Sequence, residues 1–263
     1  MNRSILLNAI FALSVLVSMI GCRKEKAEPI IDINIAEEFY VDLWEELDPE
    51  LKTFKLRLPT IQKQACPQTT LDYDFQANGQ QFVISLQELV SPDNCVTDSS
   101  FINTDVLLGD LANGTYSLRI NLKEEVVNKG ELSVNEEKYT INMESLHGLS
   151  LVRSELLRVP DQTIWGTFGF NKLQLSDAKD EFLQELQNMS GLKIYPTGYY
   201  GYFSIQDDGS VDVPVESNFA FNSPFILQLN STKQALIDLL NRYRNDYGSD
   251  IEIKLFTYEG KEL

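Results

Sequence analysis

The chain is short of the side chains that carry most metal and nucleophile chemistry. Among 263 residues there is one histidine, His147, and there are three cysteines. One histidine cannot build a histidine metal cluster, and His147 sits in a loop-like run, LHGLS, where the character of the chain changes. No GxSxG elbow surrounds a serine, and no phosphate-binding glycine loop follows a strand. Positive charge is also scarce. Lys and Arg number 22 against 39 Asp and Glu, a net charge of −17. So acidic a chain is repelled by phosphate backbones, which argues against nucleic acid as a partner. The abundant acids do not by themselves mark a glycosidase pair, because the sequence puts no distance between them. Asp207-Asp208-Gly209-Ser210-Val211-Asp212 has a slight likeness to a calcium loop, but it lacks the alternating oxygens and the closing Glu and reads as a hairpin turn. Internal repeats and low-complexity tracts are absent. The expectation is a protein without catalytic activity, cofactor or metal.

One apolar run is present, from Ile5 to Ile20, interrupted by Asn8. A bilayer-spanning helix needs about 20 apolar residues and a signal h-region about 7–15, so the length favours an export signal. Arg3 and the amine of Met1 supply a thin positive start. Ser18-Met19-Ile20-Gly21-Cys22 resembles a bacterial lipobox, with Met19 where that pattern prefers Leu or Val. The resemblance implies a signal peptide over 1–21, cleavage before Cys22, and a diacylated Cys22 as the new N-terminus. Residues 22–48 then form a lipidated tether and lead-in. Cys66 and Cys95 remain as a pair in an oxidising compartment, where disulfides persist. Bonded, they close a loop worth roughly 3–4 kcal/mol by chain entropy; the alternative is two separate buried thiols. Lipid handle, tether and small domains are similar in layout to outer-membrane lipoproteins of Bacteroidetes-type bacteria. Arg23, Lys24 and Lys26 around Glu25 depart from the acidic start that surface-displayed members of that group tend to carry, so the face of the membrane stays open.

From Ile30 to Leu47 two patterns compete. IIDINI alternates like a strand, while AEEFYVDLWEEL places Phe39, Leu43 and Leu47 at helical spacing. Residues 49–147 read as an all-β sandwich. LKTFKLRL alternates at period two, and Asn78-Gly79 suits the positive φ angles of a tight hairpin turn. Leu111-Ala112-Asn113-Gly114-Thr115-Tyr116 resembles the tyrosine corner of immunoglobulin-like sandwiches, which implies that fold for this part and says nothing of function. Residues 148–263 read as α+β. IWGTFGF, GYYGYFSI, PFILQL and IEIKLFTY are expected strands. Ser176 is expected to cap one helix and Ser231, with Gln234, a second. The order βαββαβ suggests a ferredoxin-like two-layer domain.

Period two in those four strands puts Ile164, Phe168 and Phe170 on a face for the helices. The other face then carries Trp165, Tyr200, Tyr202, Phe256 and Tyr258, a candidate binding surface, since large apolar patches are seldom left idle. Its occupant is the sandwich, a separate envelope protein or a stacked glycan. The functional expectation is an outer-membrane, lipid-anchored component that binds or assembles through protein contacts. A glycan-binding accessory of polysaccharide uptake and a structural subunit of surface fibres are the alternatives.

Overall fold

The computed structural model describes residues 36–95, 98–123, 125–191 and 193–263. The signal segment, Cys22, the basic tether and the IIDINI run lie outside the described residues. The chain is predominantly β, arranged in several sheets. Among the described residues no helix is long and apolar enough to cross a membrane.

Alternation decides the first element. β1 (Phe39–Glu46) buries Phe39, Val41, Leu43 and Glu45 and turns Tyr40, Asp42, Trp44 and Glu46 the other way. The helical alternative for this stretch fails. A spacing of four residues satisfies both periods, and Val41 is the residue that separates them. β2 (Thr53–Pro59), β5 (Asn103–Gly109) and β9 (Leu149–Leu151) complete a four-stranded sheet in the order β5-β2-β1-β9. A second, six-stranded sheet runs β10-β8-β7-β6-β4-β3, built from β3 (Thr70–Asn78), β4 (Gln81–Val90), β6 (Gly114–Leu122), β7 (Val126–Val134), β8 (Lys138–Met143) and β10 (Glu155–Leu157). Inward residues of both sheets, among them Leu43, Phe54, Ile84, Leu118 and Tyr139, share one core. The β3–β4 turn falls at the expected dipeptide, with Gly79 at φ 58°. Tyr116 donates its hydroxyl to the Ala112 carbonyl at 2.8 Å above buried Leu111. Cys66 and Cys95 are disulfide-bonded. β9 and β10 belong to the two sandwich sheets, so this part of the molecule runs past the boundary expected at His147.

The third sheet holds β11 (Thr163–Phe170), β12 (Ser190–Gly191), β16 (Phe221–Leu229) and β17 (Ile251–Thr257), in the order β12-β16-β11-β17 and all antiparallel. α1 (Ser176–Asn188) and α2 (Lys233–Tyr247) cover one face, where Phe182, Leu186, Leu236 and Leu240 meet Ile164, Phe168 and Phe170. Central β11 is buried along its whole length. Gly166 is required there, because a Cβ would stand 1.9 Å from the Lys254 carbonyl.

Three local expectations are corrected. GYYGYFSI is not a strand of this sheet. It contributes β13 (Gly198–Tyr199) and β14 (Ser204–Ile205), which with β15 (Val211–Asp212) form a separate small sheet. The βαββαβ reading that used it as a sheet strand therefore does not hold, and the two-residue β12 sits beside β16 instead. Gly198 and Gly201, at φ 145° and 87°, break the run where period two was assumed. Ser176 is the first residue of α1 and makes no side-chain cap, because the 3-10 turn Leu173–Leu175 leads straight into it. The cap of α2 is Thr232, which accepts from the Ala235 amide at 3.2 Å, and Gln234 bonds Asp238 instead.

Candidate functional site

The aromatic face is closed. Trp165 is 2% exposed and Tyr200 is 2% exposed. β11 carries Trp165 and β17 carries Phe256 at the register-paired position, with ring centroids 6.1 Å apart. Tyr200 and Tyr202 do not extend this face; they belong to the layer laid over it. Phe203 packs 5.4 Å from Trp165 and 4.6 Å from Tyr200. Tyr200 donates to the Pro196 carbonyl at 2.9 Å, which repeats four residues back the local geometry of Tyr116. Burial raises the Tyr200 hydroxyl well above its ordinary range. Tyr258, Phe256 and Tyr202 are half-buried against the same cluster.

The sandwich supplies part of the cover. Tyr202 donates to the Glu45 carbonyl at 3.2 Å and accepts from the Leu47 amide at 3.3 Å. Its ring lies 4.8 Å from Trp44, and Leu47 joins the cluster around Trp165. A glycan cannot stack on rings that protein already covers on both sides, so the carbohydrate reading of this face loses its basis. The occupant is the chain itself.

Two polar arrangements escaped the sequence reading. The first is Glu45, a carboxylate 2% exposed at the end of β1. It accepts from the Tyr139 hydroxyl at 2.7 Å and from Arg158 Nε at 3.0 Å, and its Oε2 has no partner. Burial, and then the Glu45 charge, push the Tyr139 hydroxyl far up. The second lies on the outer face of the first sheet. Asp42, Arg57 and Asp105 are register partners across β1, β2 and β5. Arg153, just past β9, reaches Asp42 at 3.5 Å, and Arg57 faces Asp105 at 3.6 Å. Lys55 contacts Asp105 at 2.6 Å and Glu46 at 3.3 Å. The Arg57 guanidinium stacks 3.4 Å over Trp44, and that of Arg153 stacks 3.4 Å over Tyr199. Such stacking fixes long side chains that would otherwise be mobile. Arg57 Nε, Asp105 Oδ1 and Arg153 Nη1 are buried without a hydrogen-bond partner. Desolvation raises the Asp42 carboxyl against the lowering pull of Arg153 and Arg57. Strand alternation of Asp42 and Trp44 on β1 and of Lys55 and Arg57 on β2 was the available signal.

The remaining candidates lie in turns. His147 is exposed, and its backbone is held by Asn128 at 2.7 Å and 3.0 Å. The 207–212 run is a turn, with Gly209 at φ 81° and the Ser210 amide donating to Asp208 at 2.9 Å. Among the described residues no group of three or more His, Cys, Asp or Glu is placed to hold a metal ion. A cleft of about 460 Å³ opens between α1 and β16, lined by Asp180, Gln184, Gln187 and Ile226 without paired carboxylates. No family model, curated protein or solved structure matches this chain.

Proposed function

We propose that the chain is an exported lipoprotein, anchored through Cys22, that acts without catalysis as a binding or assembly component of the cell envelope. The observation that carries this reading is the run from Ile5 to Cys22, an h-region of signal length that ends in small residues and a cysteine. The Cys66–Cys95 bond fits an oxidising compartment. The outer face of the first sheet, with Tyr40, Trp44 and Arg57 and with Arg153 at its edge, has the composition of protein contact surfaces. For the fold, the Tyr116 corner supports an immunoglobulin-like sandwich, and the order β12-β16-β11-β17 supports a ferredoxin-like arrangement of the third sheet with β12 as its shortened strand.

The test is metabolic labelling with a fatty-acid analogue in a host that processes lipoproteins. The wild-type chain takes up label and sediments with outer membranes. Cys22→Ser abolishes the label and releases the protein. An unlabelled wild-type chain rejects the anchor. Protease treatment of intact cells then assigns the face of the membrane.

A structural fibre subunit is the second reading. β3 and β5 are terminal strands of their sheets, so each offers an edge to a donated strand. Detergent-resistant ladders on unheated gels would favour it over the first reading.

A further inference from the structure

The charges on the outer face of the first sheet form a short row with an order. Across β9, β1, β2 and β5 it reads Arg153, Asp42, Arg57, Asp105: plus, minus, plus, minus. Neighbouring strands stand about 4.8 Å apart, which spaces Asp42, Arg57 and Asp105 evenly across β1, β2 and β5, and Arg153 joins the end of the row 3.5 Å from Asp42. An alternating row with an even number of charges is complementary to its own reverse. A two-fold axis parallel to the strands, passing between β1 and β2, would set Arg153 against Asp105 of another copy and Asp42 against Arg57. Isologous contacts demand this self-complementarity, and an odd or unbalanced row could not supply it.

The surroundings suit the same operation. Above the row on β1 and β2 lie Tyr40 and Pro59, and below it Trp44 and Lys55, since Trp44 is the register partner of Lys55. The same axis would bring Tyr40 onto Pro59, an aromatic–proline contact. Tyr40 is 38% exposed and Leu107 is 55% exposed on this face.

We propose that the outer face of the first sheet is a homodimer interface, closed by the Arg153–Asp42–Arg57–Asp105 row docking antiparallel on the same row of a second copy. This goes beyond the anchored-lipoprotein reading and requires neither the lipid nor its absence. Its failure would leave that reading untouched.

The test is a charge swap in the full chain, held in mild detergent and measured by sedimentation velocity. Wild type is expected to be a dimer that weakens as salt is raised, because the facing charges are only partly shielded from solvent. Arg57→Asp alone sets the introduced carboxylate against Asp42 of the other copy, twice over, and Asp42→Arg alone opposes two arginines; each is expected to be monomeric. An equimolar mixture pairs every plus with a minus and is expected to restore the dimer. Far-UV circular dichroism verifies that each variant is folded. Leu107→Glu and Tyr40→Glu break no pair within the row and are expected to weaken the dimer on a fold that stays intact. A wild type that stays monomeric at every concentration overturns the proposal. So do folded reversals that dimerise alone, a mixture that stays monomeric, or Glu variants that dimerise like wild type.

Discussion

Glu45 occupies a core-facing position of β1, in line with Phe39, Val41 and Leu43. A charge there is tolerated because two donors meet it, the Tyr139 hydroxyl and Arg158 Nε. Removing one partner of a buried pair strands the other, at about 3–5 kcal/mol. Glu45→Ala is therefore expected to lower stability by that amount in urea unfolding. Tyr139→Phe, which removes one donor and leaves Arg158 in place, is expected to cost less, about 1.5–3 kcal/mol for a hydrogen bond to a charged group. Equal losses would show that Arg158 contributes nothing. Asp42 makes a pH-dependent contribution of the opposite sense to most carboxylates. Its folded-state pKa is raised above 3.8, mainly by desolvation, so the ionised form is disfavoured in the folded protein. That cost is present at neutral pH and is relieved as pH falls through the raised value. Measured against Asp42→Asn, wild type is expected to gain relative stability on acidification in the window above 3.8. A flat difference would show that Arg153, the Leu43 amide and Arg57 offset desolvation, and a reversed one that they outweigh it.

The strands were the most legible elements, because period-two alternation is written directly into runs such as the FKLRL of β2 and the YSLRINL of β6. Their side-chain directions were legible too: Ile164, Phe168 and Phe170 do face the helices, and Trp165 does face away. What covers Trp165 was not legible. The cover comes from residues 195–215 and from the end of β1, elements with little periodicity whose positions are set by the single contacts of Tyr200, Tyr202 and Leu47. The helices were found, with their starts misjudged by local rules that nearby hydroxyl residues satisfy almost equally. Ser231 and Thr232 are adjacent, and the backbone chose Thr232, whose φ of −74° and ψ of 149° are those of a cap. Thr232→Ala is expected to cost about 1 kcal/mol and Ser231→Ala close to nothing, since only a cap side chain satisfies an amide of the first turn. The reverse order in thermal melts would return the cap to Ser231.

The sandwich and the third sheet meet in a shared core. Leu47 from the end of β1, Val159 from the linking segment, and Trp165 with Phe203 from the second half are packed in one cluster. Neither half can keep that cluster buried alone, and β9 and β10 are supplied to the sandwich from beyond His147. The described residues are therefore expected to unfold in one transition, although the sequence reads as two domains. The chain carries its own reporters. It has two tryptophans, Trp44 on the outer face of the first sheet and Trp165 at the centre of the third. In Trp165→Phe the fluorescence follows the sandwich, and in Trp44→Phe it follows the other half. Within each variant the fluorescence midpoint in urea is expected to coincide with the midpoint from far-UV circular dichroism, the behaviour of a cooperative two-state unit. A fluorescence transition displaced from the far-UV curve in either variant would mean that one half melts before the other. The Tyr202 contacts with Glu45 and Leu47 would then be a soft joint between two independent domains, and Tyr202→Phe would leave both midpoints where they were.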